Sequence, residues 1–132
     1  MNLQMIQKNT VLKLSFEFSL DIIKYCELLE SKRKYVVSRQ LLKSGTSIGA
    51  NATEAQNAES DADFIHKFKV AAKEAEESQY WLLLCQAQNE YPKCSELLEK
   101  VEVLNKVIGK IVSSSKKKKV LKLLMSLLAI FK

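Results

Sequence analysis

Phe64, Phe68, Ala71, Ala75, Ser78, Leu82 and Cys85 recur at alternating steps of four and three residues. Held for about six turns, that spacing keeps one apolar-to-small stripe on a single face of an α-helix. A strand alternates with period two and cannot present it. A helix this long with one greasy face must be covered by other helices. The chain supplies them, because one proline and three glycines in 132 residues leave few places to break. An all-β domain is excluded on the same ground, since alternation of period two is absent over most of the chain.

Four helical segments are expected. The first starts between Thr10 and Ser15, either of which can cap, and carries the stripe Leu12, Phe16, Ser19, Ile23, Cys26 and Leu29/Glu30. Phe18, Ile22 and Tyr25 flank that stripe, and Ser31-Lys32-Arg33-Lys34 ends the helix. The second runs from about Tyr35 to Ala58 with Val37, Leu41, Ser44, Ile48 and Ala52/Ala55 inward. The third follows the cap Ser60 and its acids Asp61 and Asp63, and stops at Tyr91-Pro92. On its wet side Lys73 and Glu77 are spaced for an i, i+4 pair. The fourth spans about Lys93 to Ser113, with Leu97, Leu98, Val101, Leu104, Val107, Ile108 and Ile111. Short connections predict an all-α, antiparallel up-down-up-down four-helix bundle over residues 1–115.

Residues 116–132 are of another kind. They hold six lysines and no acid, whereas residues 1–115 hold 15 bases and 15 acids, so the net charge of +6 belongs to the tail. From Val120 to Phe131 the tail is apolar apart from Lys122 and Ser126. A membrane span needs about 20 such residues, so the tail is expected to pack on the bundle or on a neighbouring subunit. A membrane surface is the less favoured partner, because apolar residues lie all round rather than on one face. Cys26, Cys85 and Cys94 read as reduced, buried thiols of a cytoplasmic protein, with no signal-peptide pattern at the start. One histidine and no Cys-x-x-Cys pair imply no metal site, and no cofactor motif is present.

Two glycines interrupt the second helix, Gly45 and Gly49. A glycine inside a helix costs about 1 kcal/mol relative to alanine, so this pair predicts a face where another backbone comes close. Gly45-Thr46-Ser47-Ile48-Gly49 also matches the G-x-S-x-G nucleophile elbow, but that motif needs a strand–turn–helix and a later acid and histidine. Here it lies within a helical pattern and His66 is the one later histidine. No phosphate loop is read either, because Lys43 precedes Gly45 instead of following the last glycine. Tyr80 and Trp81 read as core or subunit-interface anchors, since no base lies near them to hold a phosphate.

The residues Gln40-Leu41-Leu42-Lys43-Ser44-Gly45-Thr46-Ser47-Ile48-Gly49-Ala50-Asn51, then Glu54-Ala55, Ala58, Ser60, Asp63-Phe64-Ile65-His66-Lys67, Ala71, Lys73-Glu74-Ala75 and Tyr80-Trp81-Leu82, carry a family resemblance. This segment resembles the four-helix-bundle family of proteins encoded in intervening sequences of bacterial 23S ribosomal RNA genes. A looser likeness extends over Ser15–Ser115. The resemblance implies assembly as a homopentamer, as in the related accessory proteins of diversity-generating retroelements, which bind nucleic acid. It implies no enzyme. It also marks out Asn51, Glu54, Lys73 and Glu74, which are expected to form a hydrogen-bonded network setting register between helices two and three. The tail after Lys119 departs from the family pattern.

One stretch stands out for function. From Ser31 to Thr53 there are five bases, Lys32, Arg33, Lys34, Arg39 and Lys43, and no acid. Lys32, Arg39 and Lys43 fall on one face, roughly opposite the inward stripe. In a ring these bases would be multiplied by the subunit number, giving a field able to attract RNA or DNA through backbone electrostatics. No base-reading motif accompanies them. The alternative is a scaffold that recruits a protein partner and whose basic face is merely solvated.

Overall fold

The computed structural model describes residues 1–131. Five helices follow in order: α1 (Leu3–Gln7), α2 (Thr10–Ser31), α3 (Tyr35–Ala55), α4 (Asp61–Ala87) and α5 (Ser95–Ile130). Among the described residues there is no strand. Helices α2 to α5 form the antiparallel bundle: α3 packs on α2 and α4, and α5 packs on α4 and closes the ring on α2. The backbones of the diagonal pairs stay apart, and side chains from all four helices meet in a single core down the middle. Phe18, Ile22, Leu29, Leu41, Ile48, Phe68, Leu82, Val101, Leu104 and Ile108 fill it, each fully buried.

Caps set where the helices begin. Asn9 accepts from the Leu12 amide and starts α2 one residue before the expected window. Ser15, a candidate cap from sequence, is instead buried, its hydroxyl donating to Val11 O at 2.7 Å. Ser60 caps α4 as anticipated, accepting from Asp63 N at 3.0 Å, with Asp61 and Asp63 in the first turn. The long connection from α4 to α5 is held from within. Gln86 accepts from Cys94 N and donates to Ser95 Oγ, and the Tyr25 hydroxyl donates to Pro92 O.

Several expectations need correction. The short helix α1, which packs chiefly on α2, carries no signal strong enough to read in five residues. On α2 the centre of the buried face is Phe18, Ile22 and Tyr25, the residues expected to flank it, whereas Ile23 is 39% exposed. The reason is packing on two bundle neighbours: the buried stripe is rotated toward the groove that α2 shares with α3 and α5. The fourth helix does not end at Ser113. It continues without a break through Lys116–Lys119 to Ile130. The tail therefore does not pack back on its own bundle, and Val120, Leu121, Leu124 and Leu128 are all more than half exposed. Lys132, counted with the tail above, lies outside the described residues.

A candidate nucleic-acid interface at the α2–α3 turn

The five bases sit at and beyond the turn that joins α2 to α3. The turn is a Schellman motif: Lys34 N–H donates to Leu29 O and Arg33 N–H to Glu30 O, both at 2.9 Å. The motif requires a left-handed residue at its corner. Arg33 holds that position with φ 62°, where glycine is the usual and less strained occupant. Lys32 precedes it as the C-cap of α2, and Lys34 follows as the N-cap of α3.

The start of α3 is electropositive for a second reason. Its N-cap makes no side-chain hydrogen bond, and its first turn holds no acid. The helix thus brings neither a capping side chain nor an acid of its own to its free amides and positive dipole end, and the carboxylate beside its first turn is Glu30 of α2, which accepts from Ser38 Oγ at 3.4 Å. One and two turns further on, Arg39 and Lys43 stand exposed on the outward face of α3. Among the described residues, none of the five bases lies in an ion pair. Lys34 is the most constrained, with its Nζ 4.9 Å above the Tyr91 ring. Lys43 lies within electrostatic reach of Glu74. Partial burial and the Glu77 charge push the Glu74 carboxyl above the usual range, and Lys43 pulls against them.

The glycines behave as packing positions. A Cβ on Gly45 would meet Ile22 Cγ1 and Cγ2 at 2.9 Å, and one on Gly49 would meet Ser15 Oγ at 3.3 Å. Both lean on α2, which lets α3 approach closely enough for Ser38 Oγ to donate to Cys26 O across the same groove. Ser47 lies between them with its hydroxyl donating to Lys43 O at 2.6 Å, one turn back in its own helix. His66 is exposed on a different helix, so the nucleophile-elbow pattern meets no triad geometry.

The expected polar network is only partly present. Glu54 reaches across to Lys67 on α4 at 3.0 Å. Asn51 instead donates to Ser47 O within α3. Lys73 is exposed, and Glu77 accepts weakly from Trp81 Nε1 at 3.4 Å in place of an ion pair with Lys73. The buried polar tie between α3 and α4 is one that sequence reasoning missed. Ser78 Oγ donates to Ser44 Oγ at 2.9 Å, both residues fully buried. Each serine lies on its helix's inward stripe, but no pattern within either helix says that the two meet. Trp81 is partly buried beside Tyr80, which is 59% exposed and so not a core anchor of this chain.

All three cysteines are buried and free. Burial holds each thiol above its ordinary value, Cys26 to about 11, chiefly by desolvation. Among the described residues, no cluster of histidine, cysteine and carboxylates could hold a metal ion. No helix of the described residues is long and apolar enough to cross a membrane.

An all-helical bundle with close α2–α3 packing and an exposed basic turn is thus the class of molecule in hand. The family model for 23S rRNA-intervening sequence proteins matches residues 7–110, and the chain belongs to that family. Among solved structures it is similar to a protein of unknown function from the S23 ribosomal protein family of Bacteroides thetaiotaomicron. The two are 38% identical with a TM-score of 0.70, over 77% of this chain and 97% of that one. No curated protein matches significantly. Neither the family nor the solved relative is described by an enzymatic activity.

Proposed function

We propose that this protein is a non-enzymatic, homo-oligomeric bundle that binds RNA or DNA through backbone electrostatics at Lys32, Arg33, Lys34, Arg39 and Lys43. The observation that carries the reading is Arg33. A left-handed corner favours glycine by roughly 1 kcal/mol over most residues with a Cβ, asparagine and aspartate being the common exceptions, and here it bears a guanidinium instead. Strain kept at an exposed basic turn points to use of the side chain. Bases free of ion pairs and the start of α3, which has no side-chain cap, add to the same field. Assembly, with the pentamer that the family resemblance implies, is favoured by apolar residues left outward on the bundle, among them Leu20 on α2, Leu42 on α3 and Leu83 on α4.

The test is fluorescence anisotropy of a labelled structured RNA and of a duplex DNA across a salt series. The wild-type chain is compared with Arg39→Glu/Lys43→Glu and with Arg33→Gly. Binding should fall steeply with salt, and the slope should shrink by about 1 for each phosphate-contacting base removed. Arg33→Gly should bind more weakly while melting at or above the wild-type temperature. Salt-insensitive binding, or variants that bind as the wild type does, would refute the assignment and leave a scaffold with a solvated basic face.

A further inference from the structure

Along α5 the buried seam is Leu97, Val101, Leu104, Ile108 and Ile111, in steps of four and three. Because the helix is unbroken to Ile130, the same seam continues by geometry as Ser115, Lys118 and Lys122, with Ser126 and Ala129 following. The face that was apolar inside the bundle thus turns polar beyond it. Lys122 confirms the direction of that strip, since its Nζ lies 2.9 Å from Asp61 Oδ2 at the start of α4.

The opposite side changes in the reverse sense. Lys106, Lys110 and Lys117 lie along one outward line of α5, which continues as Leu121, Leu124 and Leu128. All six are exposed. A half with lysines, of which Lys106 pairs with Glu102 at 3.7 Å, therefore leads into an apolar half on one face, and Asp61 sits at the other side, by the polar strip. The apolar residues from Val120 to Phe131 cover about 18 Å of helix, short of the roughly 30 Å hydrocarbon core but enough to lie within one leaflet.

We propose that the C-terminal extension of α5 is an interfacial anchor for an anionic lipid surface. The Leu121, Leu124 and Leu128 side enters the headgroup–acyl boundary, and Lys116 and Lys117 meet lipid phosphates. The strip Lys118, Lys122, Ser126 stays toward water and the bundle. Apolar residues all round the helix weighed against a membrane surface in the sequence. The fold removes that objection by turning the one polar strip toward the bundle and leaving the wide apolar side free. A second copy of this chain fits the pattern less well. The acid-free Lys116–Lys122 segment would meet itself in a parallel pair, and one partner helix covers only a stripe of about 100°.

The experiment is flotation of the full chain with vesicles of phosphatidylcholine alone or mixed with phosphatidylserine, at low and high salt. Wild type should float with the anionic vesicles, and salt should weaken this without abolishing it. Leu121→Gln/Leu124→Gln/Leu128→Gln, at sites already in solvent, should keep the melting temperature and lose about a hundredfold or more in partitioning. If that variant misfolds, Lys116→Glu/Lys117→Glu should lose the preference for anionic vesicles instead. Arg39→Glu/Lys43→Glu should float as wild type does, which separates this surface from the α2–α3 turn. No flotation of the wild type, or equal flotation of the leucine variant, overturns the proposal. So does a wild type that ignores vesicles but whose mass drops with the leucine substitutions, which would assign the extension to a second copy.

Discussion

Alanine in place of each of the three glycines separates helix propensity from packing, because the sites differ only in what a Cβ would meet. At Gly109 nothing lies within 4 Å. Gly109→Ala should therefore gain most of the helical preference, about 1 kcal/mol. At Gly45 the new methyl would press on both γ-carbons of Ile22 at 2.9 Å. Those carbons belong to a β-branched, fully buried side chain that cannot swing away. Overpacking of this kind costs about 1–3 kcal/mol. Set against the propensity gain, Gly45→Ala should lose about 1 kcal/mol net, or about 4 °C in melting temperature for a chain of this size. Gly49→Ala should fall between, since Ser15 Oγ at 3.3 Å must give by a few tenths of an ångström. Thermal unfolding followed at 222 nm, at one fixed protein concentration so that assembly does not shift the midpoint, ranks the three. Ile22→Val keeps both γ-carbons and should not rescue Gly45→Ala. If Gly45→Ala stabilises as much as Gly109→Ala, close α2–α3 contact is not what glycine provides there.

Arg33→Gly should raise stability by about 0.5–1 kcal/mol in chemical denaturation, because it relieves a left-handed non-glycine residue. Ser44→Ala and Ser78→Ala should each cost about 1 kcal/mol, and the double variant less than their sum, since both hydroxyls take part in the same buried hydrogen bond. A double-mutant cycle checks this. The cysteines predict an alkaline loss of stability. Unfolded thiols ionise near 9.0 while Cys26 holds its proton to about 11, so the unfolded state gains as pH rises through that window. Melting temperatures should fall from pH 9 to 11, and a thiol reagent at neutral pH should react slowly until the chain is denatured. Ser47→Ala should leave melting and mass unchanged, because its hydroxyl serves only its own helix.

What the sequence alone determined follows from periodicity and local chemistry. The seam Phe68, Ala71, Ala75, Ser78, Leu82 and Cys85 of α4 is buried throughout, because a four-and-three repeat defines one helical face whatever covers it. The Ser60 cap was equally legible, being a contact within three residues. The inward stripe of α3, Leu41, Ser44, Ile48, Ala52 and Ala55, could be read the same way. The basic run was visible as composition, though its geometry was not. Arg33 takes its left-handed backbone from the way α3 must leave α2, and no local signal marks it.

Tertiary structure alone decided the rest. It rotated the buried face of α2 onto Phe18, Ile22 and Tyr25, because a helix touching two neighbours buries the bisector of its two contacts. It chose Ser44 and Ser78, thirty-four residues apart, as the buried polar tie between α3 and α4. And it carried α5 past the end of the core as one helix, so that a single rigid phase relation turned Lys122 toward Asp61 and left the leucines outward. Sequence specifies which residues share a face; only packing specifies where that face points.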